Sequence, residues 1–300
     1  MISDYSLHDG LIWFDGGVIP WCEAKVHILS QAMNYACSVF EGVRLYNGRA
    51  FKLVEHIERL QNSANILNLR MPFSTQVLSE ATTDIILQNN LSNAYVRMLA
   101  WKGSEEMDIH SPNTSTHIAI AAWDWPKLHS EQALLKGIKL KTSPWRRPNP
   151  QTAPTNAKAS GLYMISSLSK TFAIENQFDD ALLLDYRGYV AESSAANLFF
   201  IKNNKLFTPV PDCFLNGITR QTIIDIAQKN HIEVIEDFFS YDTLLLADEV
   251  FLTGTAYEVI PVQVVDSNWY KVGPMTRFLQ EQYFGLVGKR KIMNSRSGDK

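Results

Sequence analysis

The sequence predicts an α+β protein of two domains, and three observations carry that reading. Its 300 residues, 46% of them hydrophobic, suffice for one large core or two smaller ones, and ordinary domain size favours two. Short strand-like runs punctuated by Asp15-Gly16 and Asn47-Gly48 alternate with stretches whose apolar residues recur at helical spacing. A short polar stretch opened by Pro126 separates two such sets. It divides the chain into a smaller N-terminal domain over 1–125, a linker over 126–135 and a larger C-terminal domain over 136–300.

The elements follow in order. Residues 11–14 and 18–21 flank Asp15-Gly16-Gly17 as a hairpin, because Asp-Gly suits the positive φ angles of a tight turn. A second hairpin joins 40–46 to 50–53 through Asn47-Gly48. From Leu53 to Leu67 the period changes: Leu53, Ile57, Leu60, Ala64 and Leu67 form one apolar stripe with His56, Glu58 and Arg59 off it, the pattern of an amphipathic helix. Residues 75–90 repeat it with Val77, Leu78, Ala81, Ile85 and Ile86 inward, and 95–101 and 117–123 read as buried strands. Beyond the linker a strand over 137–142 leads into a proline-rich loop over 144–150. A helix follows Lys158 with Leu162, Ile165, Leu168, Phe172 and Ala173 inward. Strand pairs are expected about Asp185-Tyr186-Arg187-Gly188 and about Asn203-Asn204. A helix runs from Gly217 to near Asn230 with Ile223, Ile226 and Ala227 inward, and a strand over 249–252 ends in Thr253-Gly254-Thr255-Ala256. The tail from Gly288 lacks apolar periodicity and reads as frayed.

Charge and composition exclude several function classes. A formal net charge of −3 gives no broad basic field for a nucleic acid or an anionic membrane, and no apolar run reaches the roughly 20 residues that span a bilayer. The start lacks a basic segment followed by an apolar one, so no secretory signal is expected. Three widely spaced cysteines, Cys22, Cys37 and Cys213, argue for a reducing compartment, with the cytoplasm the default. The G-x-G-x-x-G, G-x-x-x-x-G-K-[ST] and G-x-S-x-G motifs are absent, and the seven histidines lack ligand spacing, so no metal is expected.

What remains is small-molecule chemistry, and its candidates each have a plainer reading. Thr155-Asn156-Ala157-Lys158-Ala159-Ser160-Gly161-Leu162-Tyr163 sets one lysine among small residues before a helix. A partly desolvated amine there would attack a carbonyl; an exposed turn lysine is the alternative. Gly217-Ile218-Thr219-Arg220 fits phosphate at a helix N-terminus, or simply an N-cap. Thr253-Gly254-Thr255-Ala256 offers hydroxyls and N–H groups, or a plain β-turn. Arg59 suits a phosphate clamp or a solvated surface, and Glu192, followed by Ser193-Ser194-Ala195-Ala196, suits a site under a flat ligand or a solvated strand end.

Taken together, Lys158, Glu192, Gly217-Ile218-Thr219-Arg220 and Thr253-Gly254-Thr255-Ala256 in this order resemble the class IV aminotransferases of pyridoxal phosphate (PLP) fold type IV, the branched-chain amino acid aminotransferases above all. Ala24-Lys25-Val26-His27, Ser38-Val39-Phe40-Glu41-Gly42-Val43-Arg44, Glu55-His56-Ile57-Glu58-Arg59-Leu60, Ala94-Tyr95-Val96-Arg97, Asn197-Leu198-Phe199 and Leu246-Ala247-Asp248-Glu249-Val250-Phe251 extend the likeness over nearly the whole chain. The resemblance implies a small N-terminal α/β domain, a larger β-barrel-like C-terminal domain with helices, and pyridoxal 5'-phosphate at the domain interface. It implies a Schiff base on Lys158, which then shuttles a proton, with Glu192 at the pyridine nitrogen, Tyr163 at the phenolic oxygen, and Arg59, Ile218, Thr219 and Thr255 on the phosphate. It also implies that Asn197 would support this cradle from behind.

For the substrate, the resemblance implies Tyr35, Phe40 and Tyr163 as apolar wall, Tyr95 with the Thr255 and Ala256 amides on the α-carboxylate, and Arg97 on the distal carboxylate of glutamate. The activity expected is reversible transfer of the amino group of leucine, isoleucine or valine to 2-oxoglutarate, in at least a homodimer whose second subunit contributes a loop around Met107. Leu128, where a bacterial relative has a pocket tyrosine, and the run Ser193-Ser194-Ala195-Ala196, which is more glycine-rich there, depart from the pattern. A D-amino-acid or (R)-amine transaminase or an aminodeoxychorismate lyase of the same fold is the alternative. From another class, a non-catalytic binder of PLP or a phosphate ligand is the other.

Overall fold

The computed structural model describes residues 4–125 and 128–289. Among them the chain divides into two compact units, one drawn from Met1–Pro126 and Asn156–Met164, the other from Lys127–Thr155 and Ile165–Lys300.

The first unit contains β1 (Leu11–Phe14), β2 (Gly17–Pro20), the short helix α1 (Gln31–Tyr35), β3 (Ser38–Tyr46), β4 (Arg49–Ala50), α2 (Leu53–Ile66), α3 (Thr75–Gln88), β5 (Ala94–Lys102) and β6 (Thr116–Asp124). Its strands form one antiparallel sheet in the order β2-β1-β6-β5-β3-β4. Both hairpin turns hold positive φ at both central residues, 47° and 96° at Asp15 and Gly16, 49° and 79° at Asn47 and Gly48, which matches the twist of the flanking strands. The second hairpin is shorter than expected, because Lys52 turns left-handed and α2 begins at Leu53.

Alternation along the strands separates two faces. On one, Val39, Val43, Leu45, Val96, Met98, Ile118 and Ile120 pack against Ile57, Leu60 and Ala64 of α2 and Leu78, Ala81, Ile85 and Ile86 of α3, each side chain larger than alanine contributing about 1.5–3 kcal/mol of burial. On the other lie Phe40, Gly42 and Arg44 of β3 and Tyr95 and Arg97 of β5. Two helix expectations need correction. Val77 is exposed, its place in the core of α3 shared out to Thr82, whose hydroxyl is satisfied by the Leu78 carbonyl at 2.7 Å. His56, expected off the apolar stripe, is buried against a carboxylate described below.

The second unit contains α4 (Glu131–Lys136), β7 (Ile138–Arg147), most of α5 (Tyr163–Glu175), β8 (Asp180–Asp185), β9 (Val190–Ser193), β10 (Asn197–Lys202), β11 (Lys205–Pro209), α6 (Ile218–Lys229), β12 (Val234–Asp237), α7 (Tyr241–Leu245), β13 (Glu249–Gly254), β14 (Glu258–Val265), β15 (Asn268–Trp269) and α8 (Pro274–Leu286). Strands β10, β13, β14, β7, β8 and β9 are neighbours in that order, and the pairing of Asn197 with Glu192 joins β9 back to β10, so six strands close into a barrel-like ring. Phe200, Leu182, Leu252, Ile260 and Val262 are among the residues of its core.

Several sequence expectations shift here. The second half of the linker is helical, its start capped by Ser130, which accepts from the Ala133 N–H at 3.1 Å; six residues are too few for periodicity to reveal. Positions 126 and 127 lie outside the described residues. Strand β7 runs through Pro144 to Arg147, because the register against β8 shifts between Thr142 and Arg146 and the proline occupies the irregularity. Helix α5 buries Ser166, Ser169 and Ala173 rather than Leu168, since Ser143 and Arg147 of β7 meet it with polar groups. The Lys158 segment groups with the first unit instead of the C-terminal domain, for reasons of strand pairing given next. Of the tail expected to fray, 290–300 lie outside the described residues. Among the described residues no helix is long and apolar enough to cross a membrane, and all three cysteines are free.

Leu60→Ala should cost about 2–5 kcal/mol in urea unfolding, whereas Val77→Ala should change stability by less than about 0.5 kcal/mol.

Candidate active site

In the first unit the lysine is positioned by its backbone. Ala159 bridges Val39 of β3, the Phe40 N–H donates to the Lys158 carbonyl at 3.1 Å, and the Lys158 N–H donates to Ser63 Oγ of α2 at 3.0 Å. Its half-buried side chain then lies among aromatic rings: Nζ is 5.0 Å from the Phe40 centroid and 5.1 Å from that of Tyr163, and it donates to Tyr163 Oη at 2.7 Å. Phe40 and Tyr163 meet edge to face at 4.6 Å. The Arg97 guanidinium sits 4.6 Å over Phe40 and 5.6 Å from Tyr95, with its buried Nε unpartnered. Gly42 makes room for this arrangement, since a Cβ there would lie 1.8 Å from Tyr95 Oη. Lys158, Tyr163, Phe40, Arg97 and Tyr95 are therefore gathered. Tyr35 donates to the Met107 carbonyl at 2.9 Å.

Arg59 belongs to a trio that the sequence did not reveal. Glu41, fully buried on β3, accepts from Arg59 Nε at 2.6 Å and from Arg59 Nη2 at 3.0 Å, and its Oε2 lies 2.7 Å from His56 Nδ1. Burial opposes the charge on Glu41, yet Arg59 and His56 hold the carboxyl well below its usual range. Burial also pushes the His56 imidazole down against the pull of Glu41, and the charges of Arg59 and Lys158 add to the lowering. A carboxylate among apolar strand residues was the available signal, and the i, i+3 spacing of His56 and Arg59 puts both on its side of α2.

In the second unit Glu192 and Asn197 face each other across β9 and β10. Arg147 Nε lies 2.9 Å from Glu192 Oε1, while Asn197 Nδ2 donates to Glu192 Oε2 at 3.2 Å and to the Leu215 carbonyl at 3.0 Å. Asn197 Oδ1 accepts from the Gly217 N–H at 3.1 Å, which ties the carboxylate to the residue capping α6. Only glycine fits there: a Cβ on Gly217 would stand 2.2 Å from Asn197 Oδ1. No side chain caps α6, so the N–H groups of Ile218 and Thr219 face a helix N-terminus suited to an anion. Arg220 turns inward instead, fully buried among Glu236, Asn216, Thr208 and the Pro209 carbonyl.

The Thr255-Ala256 turn follows β13, whose Thr253 pairs with Asn197, and Gly254 packs on Ala196. Buried Asp180 fastens both loops, accepting from Ser194 Oγ at 2.5 Å and from Tyr257 Oη at 2.8 Å. Arg147 and Asp180 were not singled out from the sequence, and Ser194 only as part of the run after Glu192; Arg147 was hidden by the prolines around it. Leu128 is exposed. One carboxylate and thiol cluster, Asp185, Asp212 and Cys213, has metal-like spacing, but Arg187 pairs with both aspartates at 2.6–2.8 Å.

Each unit by itself offers groups of a kind that suit a phosphorylated, aldehyde-bearing cofactor: the first an amine on aromatic rings and an ordered guanidinium, the second an uncapped helix N-terminus and a buried carboxylate. Comparison with known proteins agrees. A model of the amino-transferase class IV family matches residues 38–265. The branched-chain-amino-acid aminotransferase of Pseudomonas aeruginosa is 41% identical over 286 residues, covering 93% of this chain and 93% of that protein. The crystal structure of the Escherichia coli branched-chain amino acid aminotransferase superposes with a TM-score of 0.91 at 39% identity, covering 97% of this chain and 98% of that one. That of the branched-chain amino acid aminotransferase from Thermobaculum terrenum, in its PLP form, gives 0.85 at 29%, covering 94% and 95%.

Glu41 and His56 both bind more protons unfolded than folded, so stability should fall on acidification, below about pH 6.5 through His56 and below about 4.5 through Glu41. In urea unfolding at pH 7.5 and 5.5, His56→Gln should lose less stability between the two than the native chain; an equal loss would remove His56 as the cause.

Proposed function

We propose that this chain, which belongs to the class IV aminotransferase family, moves amino groups reversibly between leucine, isoleucine or valine and 2-oxoglutarate, on pyridoxal 5'-phosphate attached to Lys158 as a Schiff base. The observation that carries the reading is the Lys158 amine, pinned through its backbone and set between Phe40 and Tyr163. When bound, the cofactor supplies an electron sink that stabilises negative charge at the substrate α-carbon. The chain does the rest.

Lys158 Nζ would take the proton from the substrate α-carbon and hold it for return. Tyr163 Oη, 2.7 Å from that nitrogen, orients it and would reach the cofactor's phenolic oxygen. Arg59, aligned by its two bonds to Glu41, and the N–H groups of Ile218 and Thr219 with Thr255 would hold the phosphate. Glu192, fixed by Arg147 and Asn197, would face the pyridine nitrogen.

Phe40, Tyr163 and Tyr35 would accept an aliphatic side chain, while Tyr95 and the Thr255 and Ala256 amides take the α-carboxylate. Arg97, whose buried Nε lacks a partner, would read the distal carboxylate of glutamate. Arg97 lying over Phe40 supports acceptance of both an aliphatic and an acidic side chain: a cation on the ring face would serve a carboxylate and leave the ring edge to an aliphatic group. The homodimer, with Met107 supplied across subunits, is part of this proposal.

With purified protein, leucine and 2-oxoglutarate should yield glutamate, and absence of glutamate with any of the three branched donors would defeat the reading; acceptance of D-donors alone would shift it to another activity of the fold. Arg97→Ala should raise KM for glutamate at least tenfold more than for leucine, and equal losses would mean that Arg97 supports the pocket without reading the distal charge.

A further inference from the structure

Away from these groups, a cleft of about 730 Å³ opens in the first unit beside the α2–α3 connection and the β5–β6 loop. Arg70, Lys102 and His110 line it, and no carboxylate does among the described residues. The acidic groups of the adjoining loop bond within that loop: Glu105 accepts from the Ser115 N–H at 3.3 Å, Glu106 from Asn113 Nδ2 at 2.8 Å, and Asp108 from the His110 N–H at 3.3 Å. Exposed Arg70 and half-buried Lys102 put two positive charges on this concave wall. Arg70 forms no ion pair among the described residues, and Lys102 Nζ donates only to Ser111 Oγ there, at 2.8 Å.

The wall is also polar and incompletely satisfied. Thr114 and Gln31 line the cleft and are each at least nine-tenths buried. The Thr114 hydroxyl has no partner; the Gln31 amide N–H₂ donates to the carbonyls of Glu106 and Asp108 at 2.9 and 3.2 Å, but its oxygen has none. Buried polar atoms are ordinarily paired, so such a wall suits a polar occupant.

We propose that this cleft is a second ligand site, for a small polyvalent anion of the phosphate-ester or tricarboxylate kind, and that its occupancy changes the affinity for the amino donor. Arg70 would grip such an anion through its planar fork and Lys102 as a point charge. The route to the donor is the loop itself: His110 and Ser111 line the cleft, and Met107, three residues before His110, accepts the Tyr35 hydroxyl. This second part rests on the transaminase reading above, in which Tyr35 walls the substrate; the binding part does not.

Isothermal titration of the holoenzyme with inorganic phosphate and, separately, with citrate tests the site without reference to turnover. Saturable binding of at least one is expected, weakened about tenfold or more by Arg70→Gln and by Lys102→Gln. Phosphate alone would assign the ester class and citrate alone the carboxylate class. At saturation the anion should shift KM for leucine in the native enzyme and not in either variant. No saturable binding, or binding untouched by both substitutions, would overturn the site; binding with an unchanged KM would overturn the coupling.

Discussion

The strand β3 is the constraint on which the first unit's chemistry depends. Residues 157–159 have no regular structure of their own, and what fixes them is pairing with the backbone of β3 at Val39 and Phe40 together with the bond to Ser63. Alternation then does two things with one strand. Phe40 faces the Lys158 amine and Arg97, while Glu41, its neighbour in sequence, points to the helix side and holds Arg59 and His56. A shift of one residue in the register of β3 would turn the ring toward the helices and the carboxylate away from them, so the amine and the guanidinium share a single determinant.

The second unit solves a different problem, that of holding a carboxylate and a helix N-terminus in fixed relation. Closure of the six-strand ring puts Glu192 opposite Asn197, and one amide side chain then bonds both the carboxylate and the backbone of Gly217. Glycine at 217 is required by contact rather than by φ, since its φ of −65° suits any residue and it is the Asn197 oxygen that leaves no room for a Cβ. Asp180 performs the equivalent task for the loops carrying Ser194 and Tyr257. Its ionised form has Ser194, Tyr257 and its neighbour's N–H as donors, so a buried charge is compensated on several sides. Burial first, and then the Asp180 charge, drives the Tyr257 hydroxyl well above its ordinary range, which keeps it a donor.

Much of this architecture was legible in the amino-acid order, and what was not has physical causes. Asn47-Gly48, Asp15-Gly16 and the Leu53–Leu67 stripe are local signals, and local signals survive in the structure. Non-local pairing is silent in a sequence: nothing in residues 157–159 announces that they join β3, and Pro144 conceals a strand because the register shift that tolerates it depends on β8. The site residues separate along the same line. Lys158, Glu192, Asn197 and Gly217 stand out through chemistry and motif, while Glu41, His56 and Arg147 emerge only when a partner from another element arrives. His56 shows the limit of periodicity, since an ionisable residue off the apolar stripe was buried by a carboxylate from a strand 15 positions earlier.

The central claim is that the amine held on β3 carries the cofactor. Reducing the protein with borohydride after incubation with pyridoxal 5'-phosphate, then digesting it and mapping the modified peptide by mass spectrometry, tests this most directly. The account predicts a single phosphopyridoxyl adduct on Lys158; an adduct on another lysine, or none, would contradict it.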